Sequence, residues 1–156
     1  MLEREALLLA LLARLGRVWG KTRIQKLMFL SQADAVSSGN APFRYYLYKH
    51  GPFSLDLALT LDSLRDHRYV NESLQRSSVG NPVYFYILTD EGRRALKDTE
   101  VSQFVQGWQS AIESVVQRYG SLDLPFLVEQ AYDRARTAPA LLSNPEDAGK
   151  STTSPS

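Results

Sequence analysis

The hexapeptide Lys49–Ser54 (KHGPFS) constrains the fold more than any other stretch of the chain, because an aromatic segment precedes it and an amphipathic segment follows it. Gly51 can adopt backbone angles that other residues avoid, and Pro52 can neither donate to a strand ladder nor continue one. Ser54 is suited to cap the first amides of a helix. The hexapeptide therefore predicts a strand, a sharp turn and a helix, with no catalytic group in the turn.

Composition indicates one small globular domain with a polar tail. The chain has 156 residues, of which 44% are hydrophobic and 22% are charged. It has no cysteine, which excludes disulfides and cysteine nucleophiles and is compatible with a reducing cytosol. The apolar run Ala6–Ala13 follows two glutamates where a signal peptide has basic residues, and it is too short to span a bilayer. We expect a cytoplasmic protein in which this run is a buried helix.

Hydrophobic periodicity predicts two helices before the hexapeptide and one after it. Leu2–Leu15 is rich in leucine and alanine and ends before Gly16. A second helix is expected from about Thr22 to Val36, with an apolar face in the core and its lysines and arginine on the surface. The third, Ser54–Arg68, is amphipathic. Its inward residues are predicted to be Leu57, Ala58, Leu61 and Leu64, and its outward residues Asp56, Asp62, Arg65 and Asp66.

Strands are expected on both sides of the third helix. Phe43–Tyr48 is aromatic and should alternate between two faces. Tyr69–Leu74 and Pro82–Leu88 are separated by a polar link and predict a hairpin, after which Thr89 is a good N-cap for a short helix. In the first strand, one face should hold Phe43, Tyr45 and Leu47 and the other Arg44, Tyr46 and Tyr48.

The C-terminal third is predicted to be helical and then disordered. Apolar residues repeat at helical spacing from Val101 to Tyr119, and a last helix is expected to begin near Pro125. These two helices could form an antiparallel hairpin. Ser143–Ser156 has nothing apolar to bury and is predicted to be disordered. We therefore expect a domain over residues 1–98, a helical extension packed on it over 99–142, and a tail over 143–156.

Charge is distributed unevenly along the chain. Residues 1–50 hold eight basic and three acidic side chains, although the net charge of the whole chain is only +1. No acidic residue lies between Ala6 and Ala33, whereas five basic ones lie between Arg14 and Lys26. Such clustering favours a polyanionic partner, and the alternative is an ordinary solvated helix end.

Several strings resemble known families. The order helix, helix, strand, helix, hairpin is that of a winged-helix domain, whose hairpin is the wing. Tyr86–Leu96 (YILTDEGRRAL) is similar to the segment that leaves the wing in winged-helix regulators of the MarR and PadR type. Lys21–Leu30 (KTRIQKLMFL), joined to Tyr48–Ser54 (YKHGPFS), resembles the YwgA-like family of small prokaryotic proteins. It more distantly resembles the Panacea domain of SocA-like antitoxins, although His50 stands where those families usually have tyrosine.

The resemblance covers about residues 1–135. It implies a winged-helix-like core with a β-hairpin wing. Together with the possible C-terminal helical hairpin, we expect an α+β fold that is mostly helical. The Panacea likeness further implies a protein-binding role in toxin neutralisation or defence.

The first functional hypothesis is a regulatory module that binds double-stranded DNA as a homodimer. The start of the third helix would enter the major groove, basic residues of the second helix would contact phosphates, and the wing would reach the backbone. Three aspartates on the third helix weigh against this hypothesis, since phosphates repel them. The predicted nucleic-acid-binding residues are Lys21, Arg23, Lys26, Lys49, Ser54 and Arg76.

The second hypothesis is an adaptor, antitoxin-like or part of a defence system, that binds a protein and not DNA. The mixed, slightly acidic third helix suits protein contact, and the long helix could pair with a second copy. Aromatic residues on the first strand could instead stack on single-stranded bases or be half-buried in the sheet. The predicted interaction residues are Tyr46, Tyr48, Phe104 and Trp108.

Catalysis is not expected. No phosphate-cradling loop, zinc-protease motif or nucleophile elbow occurs in the sequence. His50 could be a general base, but the sequence places no nucleophile beside it, and a packed or capping histidine is the simpler interpretation. Asp62 and Asp66 share a helix face and could hold a divalent ion, yet they lack further ligands. We predict no enzyme activity, no metal and no cofactor.

Overall fold

The structure is a computed structural model that describes residues 1–35, 41–76 and 78–144. It is an α+β fold, mostly helical, as the sequence predicts. Most predicted boundaries are met within a few residues. The elements in chain order are α1 Glu3–Leu15, β1 Val18–Trp19, α2 Lys21–Ala35, β2 Tyr46–Tyr48, β3 Gly51–Phe53, α3 Leu55–Asp66, β4 Val70–Gln75, β5 Val83–Leu88, α4 Asp90–Ala95, α5 Thr99–Tyr119 and α6 Leu124–Thr137, followed by a 3-10 turn at Pro139–Leu141.

Two small antiparallel sheets lie among the helices of the described residues. The first has the strand order β1-β5-β4, and its β4–β5 pair confirms the predicted hairpin. The second is the β2–β3 hairpin, in which Leu47 pairs with Pro52. The sequence did not predict β1, which has only two residues and is defined by the pairing of Val18 with Tyr86 and of Trp19 with Phe85.

The core surrounds α1. Every residue of this helix from Ala6 to Leu12 is buried, because α1 packs against α3, α5 and β5. A helix that is apolar on all sides belongs inside a protein, so the predicted buried helix is confirmed. Ile112 and Val115 of α5 belong to the same hydrophobic cluster as the leucines of α1.

The two C-terminal helices are not each other's main partners. α5 packs on α1 and α2, whereas α6 packs on α2 and β3. The predicted helical hairpin is wrong in this respect, since α2 offers each of the two helices a more extensive surface. Arg134 fastens α6 to α2 through Asp34, at 3.0 Å.

Parts of the predictions lie outside the described residues. These are the end of the second helix at Val36, residue 77 in the hairpin link, and residues 145–156 of the tail. Ser143, the first residue of the predicted tail, donates a backbone hydrogen bond to the carbonyl of Tyr45 at 2.7 Å. Across the described ranges, no helix combines the length and the apolarity that crossing a membrane requires.

Candidate functional site

The β2–β3 hairpin turns at Lys49 and His50, one step earlier than the sequence predicts. Gly51 and Pro52 form the start of β3, and Gly51 has a φ of +97°, which confirms its expected special backbone angle. The prediction that Pro52 cannot continue a strand is wrong. Both strands of a two-stranded ladder are edge strands, and proline is tolerated at such an edge.

Two glutamines of α2 hold the segment that contains this hairpin. Gln25 donates to the carbonyl of Ser54 at 2.8 Å and accepts from the Ser54 amide at 2.9 Å. Gln32 makes the same pair of bonds with Phe43, at 2.8 and 3.0 Å. The two glutamines are seven residues apart, close to two helical turns, so they lie on one face of α2. Both ends of the segment 43–54 are therefore fixed to the same helix.

Asp56 secures the other side of this segment. The prediction that it points outward is wrong, because the residue is buried. Its carboxylate accepts two bonds from the Arg44 side chain at 2.9 Å and one from the Arg44 amide at 3.0 Å. Arg4 of α1 adds an ion pair at 3.0 Å. Burial opposes ionisation of Asp56, but the hydrogen bonds from Arg44 and the charges of Arg4 and Arg44 outweigh it and hold the pKa of the carboxyl below its ordinary value.

A cleft with a volume of about 670 Å³ lies between the start of α2 and the β2–β3 hairpin. It unites several predicted site residues that are far apart in sequence. Among the described residues that line it, none is acidic. The Tyr48 and Phe53 rings meet edge to face, with centroids 5.5 Å apart. We call it the lysine cleft and define it by Lys21, Lys26, Tyr48, Lys49, His50 and Phe53.

Lys26 is the buried cation of this cleft. The prediction that it lies on the surface is wrong, because only 3% of the residue is exposed. Its ammonium donates to the carbonyl of Pro52 at 2.7 Å, and no acidic side chain within the described residues pairs with it. Burial lowers the pKa of Lys26 to about 8.

Two other residues predicted to contact nucleic acid make hydrogen bonds within the fold. Arg23 donates to the carbonyls of Leu122 at 2.7 Å and Gly120 at 3.3 Å, which lie just after α5. Ser54 is fully buried, and its hydroxyl accepts from the Leu57 amide at 3.1 Å. Its predicted capping role is confirmed, whereas its predicted contact with nucleic acid is not possible in this structure because no part of the residue is accessible.

The predicted alternation of the first strand is also wrong. Tyr46 is buried, as Phe43 and Tyr45 are, whereas Leu47 and Tyr48 are exposed. The ladder begins only at Tyr46, since the bonds from Gln32 and Asp56 hold the preceding residues in place of a partner strand. The Tyr46 hydroxyl has no hydrogen-bond partner within the described residues.

Phe104 and Trp108 of α5 are half-buried against the chain's own core. The chain itself therefore supplies at least part of the surface on which these two predicted interaction residues pack.

The exposed face of α3 is apolar and acidic. Leu57, Leu61 and Leu64 point inward as predicted, but Leu55 and Leu59 are 43% and 59% exposed. One cation, Arg65, pairs with Asp62, Asp66 and Glu72 at 3.3 to 3.5 Å and offsets their negative charge only in part. We call Leu55 and Leu59, which are four residues apart, the α3 leucine face. Sequence reasoning overlooked it, although leucines outside the inward stripe could have indicated it.

Within the described ranges, no group of three or more histidine, aspartate or glutamate side chains is placed to hold a metal ion. The chain matches no family model, and no curated protein is significantly similar to it in sequence.

Proposed function

We propose that the protein is a non-enzymatic, winged-helix-like adaptor that binds a partner protein through α3. The α3 leucine face is the observation that carries this proposal. Two leucines are exposed to water one helical turn apart. Packing them into an apolar groove of a partner would lower the free energy. Asp62 and Asp66 on the same helix would add a polar rim suited to a basic partner surface.

The order of the elements supports the winged-helix part of the proposal. A short strand, β1, follows α1 and pairs with the last strand of the β4–β5 hairpin. The hairpin would then be the wing and α3 the helix that such domains present to their targets. In this chain the presented helix carries leucines and aspartates, which are poor groups for reading a phosphate-lined groove.

The adaptor is proposed to act in the cytoplasm with a different protein as its partner. The absence of cysteine fits a reducing compartment. A homodimer through α5 is less well supported, because Phe104 and Trp108 already pack against the chain's own core.

Binding to double-stranded DNA is the second candidate. It is favoured by Lys21, Lys49 and Arg76, which are exposed and form no ion pair within the described residues. These three cations would contact phosphates without reading bases, so binding would be sequence-independent and steeply dependent on salt. A flat or absent salt response on random and genomic DNA would remove this candidate.

The adaptor is tested by comparing variants as bait in the native host. Leu59→Glu places a charge on the α3 leucine face, and Leu74→Glu, at a residue 43% exposed in β4, is the matched control. We expect wild type and Leu74→Glu to retain a stoichiometric protein partner that Leu59→Glu loses. A partner that Leu59→Glu retains, or no partner with any bait, contradicts the proposal.

A further inference from the structure

The lysine cleft is a site that the adaptor function does not use. Its walls come from the start of α2 and from the β2–β3 hairpin, and neither leucine of the α3 leucine face lines it. Its volume of about 670 Å³ lies in the range of pockets that bind small molecules. The cleft can therefore be assessed independently of any partner at α3.

The charges around the cleft have one sign. Lys21 and Lys49 are exposed at its rim, Lys26 lies inside, and no acidic residue lines it within the described parts of the chain. An anion in the cleft would therefore meet positive charges and, among the described lining residues, no carboxylate.

Lys26 makes the strongest case for an anionic ligand. A buried ammonium has three donors, and among the described residues a single carbonyl, that of Pro52, accepts from it. Burying a cation without an opposite charge is costly, and the lowered pKa of Lys26 reflects that cost. If the fold needed only a bond to Pro52, an uncharged donor would provide it at lower cost.

Two aromatic side chains, Tyr48 and Phe53, line the cleft together with the lysines. Tyr48 is 53% exposed and meets Phe53 edge to face. Exposed aromatic rings stack on nucleobases. A phosphate carries up to two negative charges and matches several lysines better than a carboxylate does. We infer that the lysine cleft binds a mononucleotide, with its phosphate among Lys21, Lys26 and Lys49 and its base beside Tyr48.

Calorimetric titration of the full chain with mononucleotides tests this inference. The probes are AMP, GMP, CMP and UMP, with adenosine and inorganic phosphate as partial ligands. We expect at least one mononucleotide to bind, and to bind about tenfold or more tightly than either partial ligand, because only the whole molecule engages both walls. No binding at low millimolar concentration overturns the inference, and so does phosphate binding as tightly as the nucleotides.

Matched variants locate the binding. Lys49→Glu reverses a charge on an exposed turn and should leave the fold intact, whereas Lys97→Glu reverses an exposed charge that does not line the cleft. We expect Lys49→Glu and Lys26→Met each to weaken nucleotide binding about tenfold or more, and Lys97→Glu to leave it unchanged. Equal affinity in wild type and Lys49→Glu overturns the inference even if Lys26→Met fails to fold. Loss of a protein partner in Leu59→Glu with nucleotide binding retained would separate the two functions.

Discussion

The backbone of residues far away in sequence limits which side chains some positions of this protein tolerate. Gly92 is an example. A Cβ atom added to Gly92 would overlap the carbonyl oxygen of Tyr69 and lie 3.2 Å from a methyl carbon of Leu88. We expect Gly92→Ala to lower the free energy of unfolding by about 2 kcal/mol, since the backbone of Tyr69 would have to shift to admit the methyl group. Urea unfolding measures the effect.

Gly107 is the control for Gly92. It lies inside α5, and an added Cβ would meet no described atom within 4 Å. Alanine favours a helix over glycine, so Gly107→Ala should raise the free energy of unfolding by about 0.5–1 kcal/mol. Equal effects of the two substitutions would contradict the steric explanation at Gly92.

Two buried tyrosines provide a second residue-level prediction. The Tyr86 hydroxyl donates to Glu72 at 2.7 Å, whereas the Tyr46 hydroxyl is buried without a partner in the described part of the chain. Tyr86→Phe should lower the free energy of unfolding by about 1.5 kcal/mol, because it removes a hydrogen bond to a charged acceptor. Thermal or urea unfolding measures the effect. Tyr46→Phe should be neutral or stabilising. A large loss from Tyr46→Phe would show that its hydroxyl does have a partner.

Lys26 shows why site residues are harder to predict than core residues. The buried residues Ile24, Leu27 and Met28 of the same helix form the apolar face expected in the core, because apolar side chains at helical spacing avoid water. A lysine on the same helix is normally solvated, and nothing local in the sequence marks one that meets the carbonyl of Pro52. Its burial follows from a contact 26 residues away in sequence.

At the level of elements, a single carboxylate joins α1, α3 and the segment before β2. Asp56 binds Arg4 and Arg44, so loss of its charge would remove the carboxylate that these two partly buried guanidinium groups share. We expect Asp56→Asn to lower the free energy of unfolding at pH 7 by about 2–3 kcal/mol. Removing one partner of a fully buried ion pair costs more, whereas both arginines here are partly exposed. Asp90→Asn, at an exposed carboxylate that pairs with Arg93, is the control and should have little effect.

The same carboxylate predicts a pH dependence. The pKa of Asp56 is lower in the folded chain than in the unfolded chain, where it is about 4. The contribution of the ionised Asp56 carboxylate to the free energy of unfolding is therefore complete above about pH 4. It is lost as the pH falls through the pKa of Asp56 in the folded chain. The difference in stability between wild type and Asp56→Asn should be constant from pH 5 to 7 and should shrink below about pH 4. A difference that persists undiminished at low pH would contradict this account.

The sequence predicts the elements that local chemistry determines. It does not predict those that depend on pairing with a distant segment of the chain. α1, α3 and the β4–β5 hairpin follow from apolar periodicity, the Ser54 cap and a polar link, all of which are local. The two-residue strand β1 exists only because β5 lies beside it. Gln25 and Gln32 show the same limit, because glutamine on a helix looks like a surface residue until it meets the backbone of the segment 43–54.

At the level of the whole molecule, the sequence suggests a domain over residues 1–98 with an extension, but the core does not follow that boundary. α1 is buried partly by α5, and Ile112 and Val115 belong to the central cluster. Packing of this kind depends on which helix faces meet, which the periodicity of each helix alone does not determine. A shared core favours unfolding in a single cooperative transition.

We therefore expect the fragment 1–98 not to fold by itself. Removing α5 would expose leucines of α1 and the apolar face of α2. A chain of that size has only a small free energy of unfolding, which this exposure would reduce further. Circular dichroism and urea unfolding of the fragment should show a non-cooperative chain. A chain that ends at Asn144 keeps every contact described above and should unfold cooperatively. If the fragment 1–98 instead unfolds in a sharp transition, α5 and α6 are an addition to a domain that is stable alone.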